Sequence, residues 1–505
     1  MTPPRRQLGL GVTAAIVIAN MIGVGVFTST GFQARDLHDP MTILLAWIVG
    51  GGIALCGAAA YAELGSMMPR AGGEYVYLRE AYHPAVGFMS GWVSLTAGFS
   101  APIAVAAITF ARYAGRVFPA LHGDSLWLEH SIDVGATHLF TIRFGIEHAI
   151  AIALIATITM LHSFDTKVGG WVQALFTALK VLLIVVFIIA GLALGTGDAG
   201  HFASQRGGLA NVGTMSFAIA LMYVSFAYSG WNAAAYIASD VREPGRTLPR
   251  ALLLGTGVVM VLYVLLNIVF IYAVPTDVLG PPPCPDAAKQ VVEQMQAAGQ
   301  CGDAIYEVGH AAASALFGTR VGQLVSSVIS LALVSAVSAM IMAGPRVYAA
   351  MAADRALPPV LARHNKRGVP VIAVVTQGVL ACLFAMVGDP DMLIRFVGFT
   401  LAIFAALAVI AVFVLRARGK TGAYRTFGYP VTPVIFILSS AWIAVAQIRA
   451  RPTESAIIAA VLGLGALVYW ISTRGKAPLP NENDPPDTPP KPGELPKAVV
   501  ISDDK

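Results

Sequence analysis

ANMIGVGVF, residues 19–27, lies inside an apolar run and carries two glycines around one valine, Gly23 and Gly25 flanking Val24. Two glycines in three residues cost a helix roughly 1–2 kcal/mol relative to alanine, so this is where a helix would unwind most cheaply. A related interruption recurs far downstream in SFAYSGWN, residues 225–232, where Ser229 and Gly230 follow Phe226, Ala227 and Tyr228. Each interrupted segment opens a block of five apolar segments. Five crossings are an odd number, so the second block starts on the opposite side of a membrane from the first. Any structural repeat between the blocks is therefore inverted, the arrangement in which discontinuous helices form a midplane site.

The surrounding sequence calls for a bilayer. Of 505 residues, 56% are hydrophobic and only 12% charged, a balance that a water-facing surface does not accommodate. Runs long enough to cross about 30 Å of hydrocarbon lie near 8–27, 41–66, 84–110, 145–163, 168–195 and 212–238, and then near 250–274, 321–352, 370–389, 392–415, 431–448 and 454–472. They lack the period-2 alternation of barrel strands, so they read as about twelve helices of an all-α integral membrane protein. The expected organisation is a short N-terminus over 1–7, a first five-helix repeat over 8–195, and an inverted second repeat over 212–415 that includes a long outer loop at 275–320. Two further helices follow over 431–472, then a Pro-rich, acidic tail over 476–505 that lacks the apolar surface to fold. Within the outer loop, DAAKQVVEQMQAAGQ (286–300) reads as a small helix. Arg5 and Arg6 precede a first apolar run longer than a signal-peptide core, which reads as a retained helix.

Basic residues are uneven between alternate loops. Arg70, Arg79, Lys167, Arg242, Arg246, Arg250, Arg355, Arg363, Lys366, Arg367, Arg416, Arg418, Lys420, Arg425, Arg474 and Lys476 fall on one side; far fewer, including Arg206 and Lys289, fall on the other. This predicts cytoplasmic N- and C-termini in a cell membrane, and the formal +5 charge is an insertion signal that does not point to nucleic acid. Of four cysteines, Cys284 and Cys301 share the outer loop; a disulfide and two unpaired thiols are both compatible with their spacing.

Unwinding at Gly23–Gly25 would free amide N–H groups at the start of a half-helix, where the dipole favours a carboxylate. The carbonyls of Met21 and Ile22 would face the other way. In the second break, carbonyls around Phe226, Ala227, Ser229 and Gly230 would accept from an ammonium group. The pair suits a zwitterion without any charged side chain, with Phe226 able to close over it. The competing reading is close helix packing through small residues, with Phe226 an ordinary packed aromatic. Lys180 stands deep inside WVQALFTALKVLLIVVFIIAGL; an intramembrane charge is costly and reads first as functional, with snorkelling to the interface as the alternative. Glu63 sits near the end of its helix and reads as interfacial, as do lone histidines such as His162. No Walker-type loop, zinc-like His/Cys spacing or GxSxG elbow occurs, so ATP-driven pumping and hydrolysis have no support, and no cofactor or metal is expected.

Several longer stretches resemble the amino acid/polyamine/organocation superfamily, especially its L-amino acid transporter and cationic amino acid transporter-like branches. They are MIGVGVF (21–27), PRAGGEYVYLREAY (69–82), KVGGWVQALFTALKV (167–181), FAYSGWNAAAYIASDVREPGRTLPRAL (226–252), GPRVYAAMAADRALP (344–358) and YRTFGYPVTPVIF (424–436). The resemblance implies a LeuT-type fold with a five-plus-five inverted repeat and discontinuous helices 1 and 6. It also implies a substrate carboxylate on the Val24 and Gly25 amides, an amine on the Met21, Phe226 and Ser229 carbonyls, and Phe226 as gate. Lys180 is similar to a helix-5 lysine that takes the place of a sodium ion, bridging to helices 1 and 8. The sequence departs from the family at Val24, where many relatives carry a small or hydroxyl residue, and in its enlarged Cys284–Cys301 loop. No carboxylate stands near YSGWNAAAY, which argues against arginine/agmatine exchange.

The expectation is a secondary transporter and no enzyme: a sodium-independent carrier of neutral L-amino acids working by alternating access, through proton symport or substrate exchange. Its partners are a small amino acid and the lipid bilayer, with an accessory subunit left open. A cationic amino acid or polyamine carrier, and an amino acid sensor that binds without transport, are the rival readings.

Overall fold

The computed structural model describes residues 8–474, apart from 70–71, 122–125, 135–136, 165–168, 204–207, 283, 285–294, 297–300, 355, 366 and 388. The expected N-terminal segment 1–7, the tail 476–505, nearly all of the loop helix at 286–300, and Arg70, Lys167, Arg206, Lys289, Arg355 and Lys366 lie outside the described residues.

The first apolar segment forms α1 (Leu10–Met21) and α2 (Gly25–Leu37), bent by 43° across residues 22–24. Next come α3 (Pro40–Met67), the short α4 (Glu74–Ala81), and α5 (Pro84–Val93), which passes through a π-helical stretch at Ser94–Ser100 into α6 (Ala101–Val117). A hairpin of β1 (Leu126–Val134) and β2 (Thr137–Gly145) leads to α7 (Ile146–Phe164) and α8 (Gly169–Leu194). The second interrupted segment gives α9 (Met215–Ala227) and the one-turn α10 (Ala233–Tyr236), followed by α11 (Pro244–Ala273) and α12 (Thr276–Leu279). The remaining helices are α13 (Val308–Phe317), α14 (Thr319–Ala353), α15 (Val371–Val387), α16 (Pro390–Ala417), α17 (Val431–Ala450) and α18 (Pro452–Thr473).

Among the described residues, nine helices are long and apolar enough to cross a membrane, and ten when α1 and α2 count as one bent span. The molecule is a multi-span helix bundle. The antiparallel hairpin, β1 on β2, is the one departure from an all-helical reading among the described residues. Its exposed Trp127 packs edge-on against Phe144.

Local chemistry explains the boundaries. Asp39 caps α3 by accepting the Thr42 amide at 2.8 Å, with Pro40 at the first position, the favoured start of a helix. Pro84 and Pro390 likewise stand at the first positions of α5 and α16.

Hydrogen bonds between distant residues define two ends. At one, Leu8 bonds to the backbone of Asp240 and Arg242, Gly72 donates to the Tyr236 carbonyl, Ser66 reaches Tyr424, and Asn365 reaches the Ser163 carbonyl. This is called the Leu8 end. At the other, Thr42 reaches Gly208, Arg116 pairs with Glu307, and Cys284 and Cys301 are joined by a disulfide with Cα atoms 4.8 Å apart. This is the disulfide end.

Candidate functional site

The two interruptions meet in the interior. A Cβ on Gly25 would lie 2.5 Å from the Ala227 Cα and 2.8 Å from its Cβ, so the start of α2 touches the end of α9 at a distance only glycine permits. Gly230 has φ of +97°, and a Cβ there would be 2.7 Å from the Asn20 carbonyl oxygen. Both glycines are thus required by the contact between the breaks, one for approach and one for backbone conformation as well.

The backbone in the breaks is partly released. At the start of α2, Val24 makes no side-chain cap, and the first amides of any helix lack intrahelical acceptors. At the end of α9, the Tyr228 and Ser229 amides turn back to the Val224 and Phe226 carbonyls at 2.8 and 3.0 Å. Met21, Ile22, Val24, Gly25, Phe226 and Ala227 are buried, whereas Gly23, Ser229 and Gly230 are half-buried beside exposed Asn20.

Two side chains fasten this region. The Lys180 ammonium, buried on α8, donates to the Ile22 carbonyl at 3.1 Å. It therefore satisfies one of the carbonyls that the end of α1 leaves without an intrahelical partner. Tyr263 on α11 donates to the Met21 carbonyl at 2.6 Å and lies 3.3 Å from that of Ala227. Its hydroxyl thus sits between the two breaks. Each carbonyl has two lone pairs, so Met21 retains one for a further donor.

Above the breaks, toward the disulfide end, the packing is dense and polar. Thr30 donates to Asn267 at 2.5 Å, and Gln33 bridges the Trp47 indole at 2.8 Å and the Ala220 carbonyl at 3.2 Å. Beyond them, Arg35 pairs with Asp391 at 3.0 Å, Tyr223 donates to Asp391 at 2.6 Å, and Arg395 joins Asp391 at 2.5 Å to Glu454 at 2.9 Å.

Below the breaks, Glu74 of α4 accepts from Tyr61 at 2.6 Å and from Asn232 at 2.8 Å, tying α4 and α3 to the second break. Burial pushes the Glu74 carboxyl above the usual carboxylate range, and the bonds from Tyr61 and Asn232 offset part of that shift. Glu63, near the end of α3, is buried in the protein: Arg416 grips it with two 2.7 Å bonds, and Thr426 adds an amide at 2.7 Å and a hydroxyl at 2.6 Å. His162 is also buried, with its Nε2 2.7 Å from the Ser338 hydroxyl. A cavity of about 450 Å³ lies at the Leu8 end between α7, α14 and α15, away from the breaks.

The family model described as "Amino acid permease" matches residues 8–467. The chain is an amino acid permease. It belongs to the amino acid/polyamine/organocation superfamily, as a secondary active amino acid transporter in a multi-span membrane bundle, and not an enzyme. Among similar proteins, the serine/threonine exchanger SteT of Bacillus subtilis is 28% identical over 479 residues, covering 94% of this chain and 98% of that protein. The human b(0,+)-type amino acid transporter 1 is 26% identical over 477 residues, covering 93% and 88%. The human large neutral amino acids transporter small subunit 2 is 25% identical over 475 residues, covering 92% and 80%.

Tyr263 and Asn267 of this permease are site residues that the sequence motifs do not include. Both are polar residues one turn apart in an apolar helix, which is the same signal that singled out Lys180. Arg35, Asp391 and Arg395, three charges in or at the ends of apolar segments, lie outside those motifs as well.

Proposed function

We propose that this permease exchanges neutral L-amino acids across a cell membrane without sodium, by alternating access at the two breaks. The observation that carries the reading is the contact of Gly25 with Ala227 beside the Lys180–Ile22 bond. It brings amides at the start of α2 and carbonyls at the end of α9 to one place, as recognition of a zwitterion needs.

In this reading the carboxylate meets the amides of Gly23, Val24 and Gly25, and the amine meets carbonyls of Met21, Phe226 and Ser229, with Ile22, Ala227 and Gly230 shaping the same turn. Phe226 is the gate. The Lys180 ammonium holds the Ile22 carbonyl as a bound monovalent cation would, which is why sodium is dispensable. Exchange is favoured over proton symport because a similar protein of nearly equal length is named a serine/threonine exchanger. A second relative named for large neutral amino acids favours an uncharged side chain.

The twelve-crossing, five-plus-five inverted arrangement belongs to the same proposal. It is supported by the two breaks and by the shorter apolar helices α9 and α15, which extend the nine or ten long spans. The Leu8 end is assigned to the cytoplasm because Arg79, Arg242, Arg246, Arg363, Arg367 and Arg418 collect there.

Proteoliposomes holding the purified protein test the function. Labelled serine, threonine, leucine and lysine are offered with sodium or proton gradients imposed separately, and with unlabelled amino acid inside or absent. Neutral uptake that requires internal amino acid and ignores sodium is expected. Uptake driven by a proton gradient into empty vesicles would replace exchange by symport. Competition by lysine or putrescine alone would make the carrier cationic, and binding without flux would make it a sensor.

A further inference from the structure

The cavity at the Leu8 end is separate from the transport pathway just described. It measures about 450 Å³ and is lined by two kinds of surface. Met342, Pro345, Val369 and Val374 supply apolar wall, while Arg346 and His364 bring cationic or protonatable groups to it. Arg346 and His364 are both exposed. No acidic side chain is among the described lining residues. The nearest elements add positive charge: Arg363 is exposed on the same connection, and Arg367 follows it.

The outer flanks are apolar. On α7, Met160 and Leu161 beside His162 are each 58% exposed, and on α15 Ile372 and Val375, flanking Val374, are 39% and 43% exposed. In a multi-span bundle such large apolar side chains face acyl chains. The cavity is therefore bounded by lipid-facing surface on one side and by cations at the level of the membrane–water boundary on the other. Basic pockets between membrane helices at that level recognise anionic headgroups, and an arginine is the side chain that best matches a phosphate.

We propose that this cavity is a binding site for an anionic phospholipid, its phosphate held by Arg346 and His364 and an acyl chain lying along α7 and α15. The site is built by the return of the chain after α14: Pro345 lies within that helix and the 359–370 connection folds back beneath it. A lipid seated there would bear on α14 and α7 without entering the breaks.

The test is native mass spectrometry of the full-length protein in detergent, titrated with phosphatidylglycerol or phosphatidylcholine, with inorganic phosphate as a competing probe. Wild type should retain phosphatidylglycerol over phosphatidylcholine. Arg346→Gln should lower that preference about fivefold, His364→Gln should lower it less, and Arg451→Gln at the disulfide end should leave it unchanged. Because Arg346 and His364 are exposed, these variants are expected to fold, and the wild-type comparison needs no variant. Equal retention of both lipids by wild type, or an Arg346→Gln protein with undiminished preference, would overturn the proposal. Displacement of phosphatidylglycerol by millimolar inorganic phosphate would also overturn it, by reassigning the cavity to a soluble anion.

Discussion

The two halves of the first interrupted helix have opposite surroundings. In α2, eleven of thirteen residues are buried, whereas in α1 only Thr13, Ala14, Val17 and Met21 of twelve are. Besides Leu10 and Val12 at its start, the exposed face of α1 carries Gly11, Ala15 and Asn20, small and polar residues that membrane helices normally use for packing. Lipid-facing stretches elsewhere look different: Leu182, Val186 and Ile189 of α8 are large and apolar. The exposed face of α1 thus differs from these stretches, while α2 is tied at the disulfide end by the Arg35–Asp391–Arg395–Glu454 chain. The break therefore separates a mostly buried half from a more exposed one, the asymmetry on which the proposed alternating access would act.

The strongest challenge to this contrast is Arg395→Gln, which leaves buried Asp391 and half-buried Glu454 with less compensation. Losing one partner of a buried pair costs about 3–5 kcal/mol, so the midpoint of thermal unfolding in detergent should fall markedly. An unchanged midpoint would mean that the disulfide end is not held by this network.

Lys180→Ala removes a charged donor from the Ile22 carbonyl, an interaction worth about 1.5–3 kcal/mol. Transport in proteoliposomes should drop roughly 10- to 100-fold; full activity would remove Lys180 from the mechanism.

Gly25→Ala tests the contact between breaks. Its methyl would meet the Ala227 Cα and Cβ, an overpacking cost of about 1–3 kcal/mol. We expect weaker substrate binding by isothermal calorimetry with the fold retained.

Glu74→Gln should have the smallest effect, seen through pH. Its carboxyl is raised in the folded protein by burial, so between the ordinary carboxylate range and the raised value the folded state binds more protons than the unfolded. Stability at this group is therefore present at low pH and lost as pH rises through that window. Unfolding midpoints measured from acid to neutral pH should fall less with rising pH in the glutamine variant than in wild type.

Much of this was legible in the residues. Gly23 with Gly25, and Ser229 with Gly230, marked the two breaks because unwinding is a local, cheap event, and Lys180 stood out because a lone charge deep in an apolar run is costly unless it has a partner. The spans were found near their observed limits, although the first runs on to Leu37 because its second half, GVFTSTGFQARDL, is too polar to score as apolar. What escaped depended on partners far along the chain. Arg35 and Asp391 are 356 residues apart and Glu63 and Arg416 are 353 apart, so no local pattern announces either pair. The hairpin was missed for a different reason. LWLEHSIDV groups three apolar residues and then three polar ones and alternates only over its last four, so it carries little period-2 signal beside the helical segments.

Whether the breaks are reached from the Leu8 end, and whether substrate sits there, is read most directly from thiol accessibility. The measurement is the rate of modification of the Asn20→Cys and Thr28→Cys variants by a charged thiol reagent, in a background with Cys56 and Cys382 replaced. Asn20 is exposed and Thr28 fully buried. An approach open at the Leu8 end makes the Asn20→Cys thiol react from one side of the membrane only and leaves the Thr28→Cys thiol inert in the same state. A transported neutral amino acid should then slow the reaction of the Asn20→Cys variant. Equal reactivity of the two variants, or no protection of the Asn20→Cys thiol by any transported amino acid, would contradict this placement of the substrate.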